Sequence, residues 1–306
     1  MDHPAPRDAV AARAASGAAM LLPLLIGGCS GASILHPAGP IGANNRLILL
    51  DSLAIMLAIV VPTMVAILAF AWWFRAGNGK AKYRPEFVYS GRIELIVWSI
   101  PLLTILFLSG LIWIGSHELD PAKPLAEKAP LEVQVVSLDW KWLFVYPEQG
   151  IATLNRLVVP AGVPIRFRLT SASVMNSFFV PRLGSQIYTM NGMATTLHLQ
   201  ADKPGSYYGQ SAHYSGDGFS DMNFRLQAVP VAEFTRWVAG VKAAGGLLDG
   251  RAYRVLARQS QHEPVKHWGA VQPGLFDMVV AQHLPPAPGP SQGRDGQPQI
   301  SPGTAE

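Results

Sequence analysis

Apolar residues follow three successive rhythms along this chain. First come two long apolar runs, Leu47 to Phe74 and Ile93 to Gly115, almost without a polar break. Each exceeds the roughly 20 residues that a helix needs to cross a bilayer. Pro62 and Pro101 lie inside them, which membrane helices tolerate because neighbouring groups satisfy the freed backbone. From about Leu131 to Pro230, apolar and polar positions alternate instead. LEVQVVS, PIRFRLTS, TTLHLQA and NFRLQAV carry the two-residue period of strands. Pro160-Ala161-Gly162, Pro181, Asn191-Gly192 and Lys203-Pro204-Gly205 punctuate them as turns. About 100 residues of short strands predict a β-sandwich, residues 131–230. From 231 to 283 the period lengthens. Phe234, Trp237, Val238 and Val241 recur at helical spacing, which predicts a short helical extension. Residues 284–306 are rich in proline, glycine and glutamine, the composition of a disordered tail.

Charge orients this plan. Only 14% of residues are charged, against about 25% in ordinary soluble domains, so membrane lipid is an expected partner. Between the two apolar runs stand Arg75, Lys80, Lys82, Arg84 and Arg92 against Glu86 alone. Basic loops stay on the cytoplasmic side, so the strands and the N-terminus lie outside. Trp72, Trp73, Trp98 and Trp113 fall near the run ends, at the depth indole rings favour. The net charge of +4 is scattered rather than striped, which argues against a nucleic-acid partner.

The N-terminus gives the same topology independently. Arg7 and Arg13 precede the apolar stretch AAMLLPLLIGG, which ends at Cys29. A basic start, an apolar middle and small residues at the end describe a secretory signal, residues 1–28. Ile26-Gly27-Gly28-Cys29 resembles a lipobox, the cleavage and lipidation site of bacterial lipoproteins. Residues 29–46 would then form a lipidated external segment, the acyl chains adding an anchor to the two spans. The alternative is a free cysteine inside a signal anchor, for which the apolar stretch is short. Cys29 is the one cysteine in the chain, so no disulfide framework exists.

Tyr207 to Met222 reads YYGQSAHYSGDGFSDM. It resembles the loop that holds a binuclear copper-A centre, Cys-x-Glu-x-Cys-Gly-x-x-His-x-x-Met, with its ligands replaced. Ser211 and Ser215 stand at the cysteine positions, His213 at the glutamate and Phe219 at the histidine. Gly216 and Met222 keep the frame, and Asn176 of Asn176-Ser177-Phe178 takes the place of an upstream histidine. Soft thiolates suit paired copper and serine hydroxyls do not, so no metal is expected here. A mononuclear metal on His213 and Met222 is the weaker alternative to a hydrogen-bonded polar cluster. Alternation alone leaves cupredoxin and immunoglobulin topologies open. The loop resemblance selects cupredoxin, in which it joins the last two strands.

DWKWLFVYPEQGIATLN (139–155), MNSFFVPRLGSQIYTMNGM (175–193) and ELDPAKPL (118–125) extend the likeness. Over residues 25–283 the chain resembles subunit II of cytochrome bo-type ubiquinol oxidases, in the haem-copper oxidase superfamily. The fold class implied is a membrane α + β chain: a two-helix transmembrane hairpin, an external cupredoxin-like β-sandwich and a short helical extension. The resemblance implies a subunit of a proton-pumping enzyme of the bacterial inner membrane. Haems, copper, quinol oxidation and oxygen reduction would belong to partner subunit I, further subunits would join the complex, and this chain would bind no cofactor and hold no catalytic residue. It also places Glu94, in GRIELIVW, at the mouth of a proton path in the partner, and a carboxylate at that depth is costly unless it faces protein or water. The alternative for Glu94 is an interfacial pair with Arg92 or Lys82. Trp140 and Trp142 are expected in the core or against subunit I. Asp139, Glu118 and Asp120 are expected at the external membrane edge, either paired with basic residues of partners or helping proton exit. Competing functions are a copper-carrying cytochrome c oxidase subunit, which the missing cysteines oppose, and a membrane-tethered binding or assembly lipoprotein.

Overall fold

The computed structural model describes residues 34–82, 84–125 and 129–287. The signal segment and Cys29 lie outside them. Two helices come first, α1 (Pro40–Trp73) and α2 (Gly91–Glu118). Both are long and apolar enough to cross a membrane. At 1.5 Å per residue, α1 is about 51 Å long against a hydrocarbon core of about 30 Å. It begins seven residues earlier than its apolar run, so residues 40–46 of the expected N-terminal segment are helical. Pro40 sits in the first turn, where a missing N–H costs nothing and a fixed φ suits the helix.

The surplus at the start of α1 docks on the external domain. Ala38 N–H donates to the Arg182 carbonyl (2.7 Å) and Gly42 N–H to that of Leu183 (3.0 Å). A Cβ at Gly39 would stand 2.0 Å from the Gln200 carbonyl oxygen, so only glycine permits this approach.

The external domain holds β1 (Leu131–Leu138), β2 (Lys141–Tyr146), β3 (Ile151–Leu154), β4 (Arg156–Pro160), β5 (Ile165–Ser171), β6 (Asn176–Phe179), β7 (Ile187–Thr189), β8 (Thr195–Leu199), β9 (Gly205–Ser211) and β10 (Asn223–Val229). Beyond it come α3 (Val231–Ala244), β11 (Leu247–Leu248), α4 (Gly250–Leu256), β12 (Lys266–Trp268), β13 (Ala270–Val271) and α5 (Leu275–Val280). One sheet runs β12-β3-β2-β1-β5-β8 and faces a second, β4-β10-β9-β6-β7. β1 pairs parallel with β5, and β4 parallel with β10. This is the expected cupredoxin-like sandwich.

Its centre is aromatic. The Phe178 and Phe224 rings stack at 5.1 Å, and Trp142 meets both edge-on at 5.4 and 5.8 Å. β2 is buried on both faces. Trp142, Phe144 and Tyr146 enter the space between the sheets. Leu143 and Val145 point the other way, under Leu248, Tyr253, Leu256 and Phe276. The extension therefore covers the outer face of the first sheet.

Two expectations need correction. The extension is not helical alone, because β12 pairs with β3 and completes a sheet edge. Packed chain also continues past residue 283. Leu284 and Ala287 are buried, and Ala287 N–H donates to the Ala172 carbonyl (2.8 Å). Both side chains join the apolar cluster that contains Ala172, despite the surrounding prolines. The rest of the expected tail lies outside the described residues.

Candidate functional site

The loop from Ala212 to Met222 joins β9 to β10, the last two strands of the sandwich, as the resemblance required. Its base is closed by Ser211 N–H donating to the Met222 carbonyl (2.9 Å). Asn176, at the start of β6, lies beside it. The Ser211 hydroxyl is 3.1 Å from Asn176 Oδ1 and 3.2 Å from the His213 carbonyl, both acceptors. The Ser215 hydroxyl points at the Met222 sulfur, 3.9 Å away. Asn176, Ser211, Ser215 and Met222 are all buried.

The other two positions lie at the rim. The half-buried His213 ring stands edge-on to Tyr188 at 5.8 Å. Phe219 opens a 3₁₀ turn, Phe219–Asp221, and meets Tyr214 edge-on at 5.6 Å. The converging donors are thus hydroxyls, an amide and one thioether. They do not fit a copper-A centre, which needs bridging thiolates. Each buried polar group instead finds a protein partner, which is what burial demands.

Trp140 and Trp142 hold this loop from beneath. Trp140 Nε1–H donates to the Ser215 carbonyl (3.0 Å), and Trp142 Nε1–H approaches that of Met222 (3.4 Å). A Cβ at Gly218 would fall 2.4 Å from the Trp140 indole. Trp140 itself has φ 63°, an uncommon conformation for a bulky residue.

Asp139 is not at a membrane edge open to partners. It is 2% exposed at the β1–β2 turn, where its carboxylate accepts from the Ser173 hydroxyl. The eight residues of β1 separate it from the end of α2, and residues 258–263 of the extension bond to Lys141 and Asn155 beside the turn. Lys141 is 1% exposed. Its ammonium donates to the Arg258 carbonyl and to Ser260 Oγ, both at 2.6 Å. Asn155 Nδ2–H donates to the Glu263 carbonyl (3.0 Å), and His262 Nε2 lies 3.3 Å from Asp221 Oδ2 in the loop. Burial pushes the Asp139 carboxyl above its ordinary value, against hydrogen bonds from Ser173 and Gln259 and the nearby Lys141 charge. Burial likewise pushes Lys141 below its ordinary value, against attraction from Glu263 and Asp139. Sequence reasoning missed this strap. A lysine between two tryptophans gave the only signal, and its partners lie 117 and 119 residues away.

Glu94 sits in the first turn of α2, where the helix dipole favours a carboxylate. It is exposed, and among the described residues no ion pair reaches it from Arg92 or Lys82. Glu118 ends α2 and lines a cleft with Asp51 of α1, while Asp120 Oδ1 accepts from Ala122 N–H (2.9 Å).

Comparison with known proteins agrees with this architecture. Residues 148–229 match the family described as cytochrome c oxidase subunit II, periplasmic domain, and residues 242–286 match the COX aromatic rich motif. Ubiquinol oxidase subunit 2 of Acetobacter aceti is 49% identical over 263 residues, covering 85% of each chain. Cytochrome bo(3) ubiquinol oxidase subunit 2 of Pseudomonas aeruginosa is 46% identical over 261 residues, 85% of this chain and 78% of that one. The crystallised periplasmic domain of cytochrome oxidase subunit II of Bradyrhizobium japonicum is 26% identical, with a TM-score of 0.38, over 39% of this chain and 99% of that one. With two membrane-length helices, a cupredoxin-like external domain and relatives of this identity and coverage, the chain belongs to the ubiquinol oxidase subunit 2 family, within the haem-copper oxidase subunit II proteins, and is a subunit of a terminal quinol oxidase.

Proposed function

We propose that this subunit carries no electrons itself and serves the oxidase as scaffold and as part of a proton entrance. The observation that carries the reading is the β9–β10 loop. Its frame is that of an electron-accepting copper site, but hydroxyls, an amide and an aromatic ring stand at the ligand positions. Quinol delivers electrons from within the lipid, so an external relay has no task. Haems, copper and the quinol site then reside in partner subunit I, which reduces oxygen to water and pumps protons. Glu94 begins α2 at the cytoplasmic face, without an ion-pair partner among the described residues. Such a carboxylate is free to pass protons to an adjoining subunit. The basic loop between the spans supports a cytoplasmic orientation for it. It also supports a place in the bacterial inner membrane with the sandwich outside, and Cys29 as a lipid anchor fits that topology.

The test is purification of the tagged chain in mild detergent. Haem and quinol oxidation should co-purify, and the external domain should show no mixed-valence copper absorbance. Stoichiometric copper with that signature in the external domain overturns the reading. Glu94→Ala should slow turnover several-fold at unchanged haem content. Oxygen uptake equal to wild type across the working pH range removes the proton role.

A further inference from the structure

The turn joining α1 to α2 encloses a cleft of about 870 Å3. Trp73, Phe74 and Phe87 give it apolar walls, and Arg75, Lys80, Lys82 and Arg84 give it charge. Among the described residues no carboxylate lines it. None of these four cations takes part in an ion pair among the described residues. Glu86 is the one acidic residue between Arg75 and Arg92. Four uncompensated cations in one cleft repel each other and attract an anion.

The local chain holds them there. Arg75 Nη1–H donates back to the Trp72 carbonyl (2.7 Å), and its guanidinium lies 5.0 Å over the Trp72 ring. Asn78 Nδ2–H donates to the Trp73 carbonyl (2.6 Å), and Lys80 N–H to Asn78 Oδ1 (3.1 Å). These bonds satisfy the last carbonyls of α1 and fold the turn over the helix end. The cations consequently sit beside the aromatic residues that mark the depth of lipid headgroups.

We propose that this cleft binds the phosphate of an anionic phospholipid, whose acyl chains lie along the exposed apolar surfaces of α1 and α2. The proposal rests on the reading of α1 and α2 as membrane spans. Basic clusters next to a span attract anionic headgroups, and basic residues beside aromatic walls match a molecule that is charged at one end and apolar at the other. Free phosphate would leave Trp73, Phe74 and Phe87 unused.

The test uses the purified, delipidated oxidase complex, wild type and the triple variant Lys80→Gln, Lys82→Gln, Arg84→Gln. Arg75 is kept because it caps α1. Phosphatidylglycerol or phosphatidylcholine is added back, and bound lipid is counted by native mass spectrometry of this subunit. Wild type should retain phosphatidylglycerol in preference, and the variant should weaken it by about fivefold per charge removed. Excess inorganic phosphate should not displace the lipid. Equal retention of the two lipids, a variant that binds as wild type does, or full displacement by phosphate overturns the proposal. An acidic loop of another subunit seated in the cleft would show as no preference in wild type, which also overturns it. Haem content and quinol oxidation are read on the same samples. Their absence from wild type counts against the oxidase reading, while the lipid count still decides the cleft.

Discussion

The membrane hairpin and the external sandwich are both built from large apolar side chains, and they use them in opposite ways. In α1 and α2 the buried residues are Ile41, Gly42 and Gly115, all near the external ends. Leu68, Phe70, Leu95, Trp98 and Phe107 are each more than 60% exposed. In the sandwich, Trp142, Phe144, Phe167 and Phe178 show no exposed surface. The sandwich thus holds itself together by its own burial. The hairpin has no core of its own, and its surface is finished by lipid and by other oxidase subunits, where no hydrophobic drive separates helix from solvent. One chain therefore contains a domain that is stable through its contacts and a segment that is stable through its surroundings.

The sharpest test of that contrast is Trp142→Ala. It removes the indole that meets Phe178 and Phe224 and deletes the N–H facing the Met222 carbonyl. Deleting a fully buried ring of this size costs about 3–5 kcal/mol. Thermal unfolding of the detergent-solubilised chain, followed by near-ultraviolet circular dichroism, should show the loss. A cost under about 1 kcal/mol would mean that the aromatic centre does not carry the domain.

Next in size is Lys141→Met, which tests how the extension is fastened to the sandwich. It leaves the Arg258 carbonyl and the Ser260 hydroxyl without their donor and Asp139 without its nearest positive charge. Breaking such a buried charged arrangement costs about 3 kcal/mol. Amide hydrogen exchange should rise across residues 258–263, and protection there equal to wild type would count against the strap. The pH dependence has a defined sign. The folded state holds Lys141 below its ordinary value of 10.5. Its share of stability is therefore full above that value and is lost as pH falls through the lowered one. Asp139, raised above 3.8, contributes most below that value and loses its share as pH rises through the raised one. Melting curves from roughly pH 4 to 10 should lose their alkaline rise in the variant, and the Asp139 loss should move to higher pH. An alkaline rise unchanged in Lys141→Met would assign it to another group.

The same contrast explains what the sequence could and could not show. The two spans were legible because a bilayer imposes one length and one composition on any helix inside it. The start of α1 was not, because residues 40–46 fit a protein surface, and their acceptors, the carbonyls of Arg182 and Leu183, are supplied by distant sequence. The strands around Val133, Phe167 and Leu226 were legible by alternation. KWLFVY in β2 does not alternate, because the extension covers its second face. β12 is three residues long and gains its partner only across a long connection. At the loop, the positions of Ser211, Ser215 and Met222 could be read by register against a known pattern. The buried surroundings of Asp139 and its partner Ser173 could not, since a carboxylate near a predicted membrane edge reads as exposed until the strap is in place.

The smallest predicted effect examines the other side of the contrast. Leu68 is 69% exposed on α1. In the solubilised chain Leu68→Ala should change unfolding by less than about 0.5 kcal/mol, because detergent replaces the side chain's contacts in both states. The assembled oxidase is where the two possible surroundings separate. If Leu68 faces lipid, the substitution stays silent there too. If it faces another subunit, truncation leaves a void that lipid does not fill, and the complex dissociates at lower detergent or temperature than wild type. A cost in the isolated chain approaching that of Trp142→Ala would show that the hairpin has a packed interior after all, and the division between self-supported sandwich and externally supported helices would fail.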